Sequence, residues 1–228
     1  MGTFDTLIDY WVSIQNYLPR FLETCLVVLE LTVGGVLLSW ACGMIAGLGS
    51  MSNSRIIRIP CRFYIWFTRG TPKLLQIFIW YFGLPQLGLQ LSPFIAGIIG
   101  LGVNSGAYIA EIVRSGISAI PRGQFESSQA LGMSYFLYMR RVILPQAIRV
   151  IMPPITNRAI TLLKDTSLLS AITVMELTLA VQLVVARTYR PLDFYIIAAI
   201  LYLIMTSVLS MLSGRIEQRL NLPYERSS

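Results

Sequence analysis

The sequence predicts an all-α membrane protein of about five transmembrane helices. Three observations lead there. Apolar residues make up 55% of the 228 and charged residues only 13%, far from the quarter or so that soluble domains carry, and the mean hydropathy is +0.66. Charge is absent from 31–54, 74–110 and 194–214, and each run is long enough to cross a bilayer, which takes roughly 20 helical residues at about 1.5 Å each. The arginines stand in short connectors beside these runs. They account for the net charge of +7 as orientation in a membrane rather than as a nucleic-acid footprint, so lipid is an expected partner and nucleic acid is not.

A first helix is expected over 21–49, where Ser39, Gly43 and Gly47 recur at four-residue steps and form a seam for close helix approach. The connector 50–62 carries Arg55, Arg58 and Arg62 with no acidic residue. The positive-inside rule makes it cytoplasmic and the N-terminus periplasmic. A second helix over 63–83 ends at Gly83 and Pro85, and the charge-free connector 84–93 follows on the periplasmic side. The third, over 94–116, repeats the small-residue seam at Gly102, Gly106 and Ala110 and carries Glu111 and Arg114 near its end, three apart and so able to pair. The stretch 115–146 is the longest polar excursion, helical in pattern with a turn around Gly132. A fourth crossing over 147–170 includes Pro153, Pro154, Arg158, Lys164 and Asp165, which only a broken helix buried among others tolerates. The segment 171–193 is read as a periplasmic interfacial helix, with a sixth crossing as its alternative. A last helix over 194–213 precedes Arg215, Arg219 and Arg226, which makes the C-terminus cytoplasmic.

Within the polar excursion the chain reads Glu126-Ser127-Ser128-Gln129-Ala130-Leu131-Gly132 and, nine residues on, Val142-Ile143-Leu144-Pro145. This resembles the EAA loop of binding-protein-dependent ABC importers, with serines in place of two alanines and Val142 in place of isoleucine. Arg69-Gly70-Thr71-Pro72, Ala107-Tyr108-Ile109-Ala110-Glu111-Ile112 and Leu163-Lys164-Asp165-Thr166-Ser167-Leu168 extend the likeness over most of the chain and towards the polar amino acid permeases of that group. The resemblance implies a type I ABC importer permease fold in a bacterial inner membrane. It divides the chain into a periplasmic segment 1–20, a transmembrane domain 21–214 with a coupling loop 115–146, and a cytoplasmic tail 215–228. It also implies a pair of cytoplasmic ATPase subunits, a second permease subunit, identical or related, and a substrate-binding protein. In such transporters the loop, here Glu126, Ser127, Ser128, Ala130, Leu131, Gly132, Leu144 and Pro145, inserts a short helix into the ATPase. The loop's own apolar residues, Leu131, Met133, Phe136, Leu137 and Tyr138, fit a docking surface or packing beneath the membrane domain.

Energy must come from another subunit. The only lysines are Lys73, followed by leucine, and Lys164, followed by aspartate, so no Gly-Lys-Ser/Thr phosphate loop exists and ATP and Mg are expected on the partner ATPase, with no cofactor on this chain. Histidine is absent, which argues against an enzyme, and no convincing internal repeat supports a stand-alone secondary transporter. A zwitterionic amino acid, or a derivative such as an opine or cystine, needs a donor for its carboxylate and an acceptor for its ammonium group at membrane depth. Lys164 and Asp165, beside Thr166 and Ser167, offer both, or else tie helices together. Asn104 and Glu111, seven apart, share a face of the third helix and form a second polar set, with Ser105 turned elsewhere. Arg69 either anchors a cytoplasmic helix end or faces the pathway.

Overall fold

The computed structural model describes the backbone of residues 3–225 and the side chains of 15–218. It is helical throughout, with no strand among the described residues. The first helix, α1 (Thr3–Ser50), is followed by α2 (Arg55–Gly70), α3 (Lys73–Phe78), α4 (Pro93–Ser118), α5 (Arg122–Ala130), α6 (Tyr135–Tyr138), α7 (Leu144–Asp165), α8 (Leu177–Thr188) and α9 (Pro191–Glu225). Three stretches are long and apolar enough to cross a membrane unbroken: Gln15–Ser50, Pro93–Ser118 and Pro191–Gln218. The chain between them forms the other helices, the longest of which is α7 with 22 residues.

The two small-residue seams meet each other. A Cβ on Gly43 would stand 2.4 Å from Ile109 Cγ2, one on Gly47 2.9 Å from the Ala110 carbonyl, and one on Gly106 2.7 Å from Cys42 Cβ. Only hydrogen at those positions lets the backbones of α1 and α4 close to this distance, where dispersion contacts rather than the hydrophobic effect hold helices together in lipid. Tyr64 adds a hydrogen bond from its hydroxyl to the Val103 carbonyl at 2.6 Å, fixing α2 to the middle of α4.

The connector after α1 is shorter than 50–62, because α2 begins at Arg55. Its arginines turn back: Arg58 donates to the Ser52 carbonyl at 3.4 Å and Arg62 to the Ser50 carbonyl at 3.3 Å. Both sit where the α1 dipole is negative and carbonyls lack intrahelical donors. The helix expected over 63–83 is not continuous. Thr71 and Pro72 are extended, since Pro72 disfavours helical geometry at the residue before it, and helix resumes at Lys73 and loosens into a π-helical turn over Ile79–Gly83.

The fourth crossing is also broken, but not at its prolines. Helix α7 runs through Pro153 and Pro154; proline already has helical φ, so the loss is confined to two N–H donors and crowding. The break follows Asp165, as a 3₁₀ stretch Thr166–Ile172 ending at Thr173 in left-handed geometry, φ 63°. Beyond it α8, bent by 50° from the preceding stretch, has 12 residues and so spans about 18 Å, short of the roughly 30 Å of a hydrocarbon core. A sixth crossing by α8 alone is thereby excluded. One face of α8 is buried, with Leu177, Ala180, Val181 and Val184 against Phe21, Cys25, Val28 and Leu163 and against Phe194 and Ala198 of α9, while Gln182, Leu183, Ala186 and Arg187 on the other are exposed. Glu176, fully buried, caps it by accepting from the Thr178 and Leu179 amides at 2.8 and 2.9 Å and from the Tyr202 hydroxyl at 2.9 Å.

Candidate substrate pathway and coupling loop

Glycine organises the loop. Helix α5 ends in a Schellman turn: Gly132 has φ +73°, its amide donates to the Gln129 carbonyl at 2.9 Å, and the Met133 amide donates to the Ser128 carbonyl at 3.1 Å. Of the motif residues, Glu126, Ser127, Ala130, Leu131, Gly132, Leu144 and Pro145 are exposed, and Ser128 is buried with its hydroxyl donating to the Gln124 carbonyl at 2.7 Å. The loop's apolar residues divide between two jobs. Tyr138 and Met133 pack with Phe125 and Ile143 onto Ile109, Val113 and Ile117 of α4 and Ile151 of α7. Leu131, at the end of α5, and Phe136, in α6, instead stand 80% and 73% exposed.

A second constellation lies near the middle of α4, where Asn104, Tyr108 and Glu111 follow one another along a face. Gln76 of α3 is pinned by donating to the Thr68 carbonyl at 2.8 Å and the Thr71 hydroxyl at 2.6 Å, which leaves its carbonyl oxygen to accept from the Asn104 amide at 3.1 Å. The break at Gly70–Pro72 thus aims α3 at α4. Glu111 accepts from Arg114 through two hydrogen bonds of 3.1 and 2.5 Å and lies 3.7 Å from Arg69. Arg69, in the last turn of α2, also approaches the Tyr108 ring, 5.6 Å from its centroid, so it joins this cluster from the helix end. Arg158 of α7 stacks on the same ring at 4.1 Å and reaches the Ser105 hydroxyl at 3.4 Å, which brings Ser105 into the cluster rather than away from it.

Asp165 does not pair with its neighbour. It forms an ion pair and hydrogen bond with Lys73, on α3, and both side chains are about four-fifths buried, with 16% and 21% exposure. Lys164 is exposed one residue earlier, on the side of α7 that faces Thr206, Ser207, Ser210 and Met211 of α9. Lys164 and Asp165 thus do not present a donor and an acceptor at one place: successive residues of a helix point about 100° apart, and Asp165 ties α7 to α3 through a counter-ion 92 positions away. Thr166 is buried with its hydroxyl on the Leu163 carbonyl, and Ser167 bonds the Lys164 carbonyl, both at 2.8 Å. Both hydroxyls close the end of α7. Lys73, Gln76, Tyr108 and Arg158 were missed as a group. A signal existed for two of them, since Lys73 is one of only two lysines and Arg158 one of the few charges inside an apolar run.

Residues 39–222 match the family model described as a binding-protein-dependent transport system inner membrane component. The chain belongs to this family. It is a permease subunit, multi-pass in the inner membrane, and the family works with a binding protein and an ATPase. A solved amino acid ABC transporter with histidines has a chain that superposes with TM-score 0.86 at 38% identity, covering 91% of this permease and 97% of that chain. The permease is 40% identical over 177 residues to the probable amino-acid ABC transporter permease protein YckA of Bacillus subtilis, with 78% of each chain covered. It is 35% identical to the putative glutamine transport system permease protein GlnP of Rickettsia bellii, covering 94% of this chain and 99% of that one.

Proposed function

We propose that this permease imports a polar amino acid, delivered by a periplasmic binding protein, along a route bordered by Asn104, Glu111, Asp165 and the cations around them. The carrying observation is the concentration of Arg69, Lys73, Arg158, Asp165 and Glu111 around the middle of α4. Charges at membrane depth are costly unless they pair or line a watery path, and here they mix both signs, as the two ends of an amino acid require. The names of the relatives, an amino-acid permease and a glutamine permease, support that substrate class.

Two copies of the chain, or this chain and a relative, enclose the route, and a pair of cytoplasmic ATPase subunits binds ATP and Mg. The turn bearing Leu131 and Phe136 docks there, with Glu126, Ser127, Ala130 and Gly132 on the same surface and Leu144 and Pro145 at the start of α7. Because Tyr138, Met133 and Ile143 are packed onto α4 and α7, a displacement of the docked turn moves the ends of the helices that carry Asn104, Arg158 and Asp165. Lys164, Thr166 and Ser167 stand at the opposite end of α7, where the solute is handed over. The test is co-purification with an ATPase subunit and a binding protein, followed by ATP hydrolysis in the reconstituted complex. Hydrolysis should rise when binding protein loaded with a polar amino acid is added; a complex that ignores the loaded binding protein contradicts the proposal.

A further inference from the structure

The cations of the polar cluster are not equally satisfied. Lys73 has Asp165, and Arg114 and Arg69 share Glu111. Arg158 has no carboxylate within 4 Å among the described residues; its contacts are the face of Tyr108 and one long bond to the Ser105 hydroxyl. Its Nε–H is buried without an acceptor. The ring lies against the guanidinium carbon and the Ser105 hydroxyl takes one long bond from a terminal nitrogen, which leaves the Nε–H of the donor edge without an acceptor. The fork along that edge matches a carboxylate bidentately. Among the described residues, the one buried side-chain acceptor without a donor is Asn104 Oδ1. It is not an amide set the wrong way round: the two hydrogens of the Gln76 amide are held by the Thr68 carbonyl and by Thr71, so its oxygen faces Asn104 and requires the Asn104 nitrogen there. An anion receptor on α7 and an ammonium acceptor on α4 thus belong to one cluster, joined where Arg158 meets Ser105 and Tyr108, and the cluster holds four cations, Arg69, Lys73, Arg114 and Arg158, against two carboxylates, Glu111 and Asp165.

We propose that Arg158 is the specificity-determining residue of the pathway and that its solute is an acidic amino acid or a dicarboxylate amino-acid derivative, held by its side-chain carboxylate on the Arg158 fork and by its ammonium group at Asn104 Oδ1. This rests on the reading of the cluster as the substrate route. A solute with equal numbers of positive and negative groups leaves the excess of cations as it was; one with an extra carboxylate reduces it, and a basic side chain adds to it.

The test avoids the binding protein, which applies its own selection. Binding of glutamate, glutamine and arginine is measured on the permease–ATPase complex in nanodiscs by scintillation proximity. A charge-assisted pair is worth roughly a tenfold or greater preference, so glutamate should bind at least that much tighter than glutamine, with arginine weakest. Arg158→Gln should bring the glutamate-to-glutamine ratio towards one, and Arg158→Lys should keep part of it. A wild-type preference for glutamine or arginine, or an Arg158→Gln complex with an unchanged ratio, overturns the assignment while leaving the route in place. If Arg158→Gln fails to assemble, Arg158→Lys decides, because an unaltered ratio there shows that the guanidinium fork is not the receptor. Absence of binding by all three, in a complex that still transports an amino acid with its binding protein, sinks the route itself.

Discussion

At the scale of single residues, the sequence showed that Asp165 needs a partner but not which one, because a helix periodicity says nothing about what crosses from 92 residues away. With Lys73 as the counter-ion, removing one partner leaves a largely buried charge, a loss of about 3 kcal/mol or more. Asp165→Asn should therefore lower the melting temperature of the detergent-solubilised protein, and Lys73→Gln in the same chain should restore part of it. Lys164→Gln should restore nothing, since that side chain is turned towards α9; recovery by Lys164→Gln would return the pair to its sequence neighbour. The pair Glu111 and Arg114, three apart, was legible for the opposite reason, that helix geometry alone brings them together.

At the scale of elements, small-residue steps and turn chemistry were the readable features. Ser39, Gly43 and Gly47 on one helix and Gly102, Gly106 and Ala110 on another announced two seams, and the structure sets them against each other. Breaks were harder to place. Pro153 and Pro154 pointed to an interruption that α7 does not have, whereas the interruption after Asp165 has no proline to mark it and depends on buried Glu176 starting a new helix axis. The loop offers a test of turn chemistry against docking. A Cβ at Gly132 meets no atom within 4 Å, so the penalty for a side chain there is its left-handed backbone, φ +73°, about 1–2 kcal/mol for most residues and less for asparagine. Gly132→Val should keep insertion and expression but reduce transport by weakening the docked turn, while Gly132→Asn should retain most of it. Full transport by Gly132→Val, measured as substrate uptake, would separate the turn from coupling.

At the scale of the whole molecule, the all-helical membrane architecture was legible from charge-free runs, while the continuity of the crossings was not: among the described residues three helices are long and apolar enough to cross alone, and a fourth span is offered by the bent pair Tyr135–Ile172 and Leu177–Thr188. The arginines beside those helices predict an orientation with the N-terminus outside and the C-terminus inside. In a chain without Cys25, Cys42 and Cys61, cysteines at Gln86 and Gln90 should react with a membrane-impermeant thiol reagent added outside, and cysteines at Asn53 and Gln129 should not; reversed labelling inverts the orientation. The central claim is that this chain moves solute only when the exposed turn at Leu131 and Phe136 is driven by an ATPase. The most direct measurement is uptake of radiolabelled amino acid into proteoliposomes holding the permease with and without its ATPase partner, in the presence of loaded binding protein. The account predicts ATP-dependent uptake with both subunits, abolished by Leu131→Asp with Phe136→Asp; uptake by the permease alone, or undiminished uptake by that double variant, would contradict it.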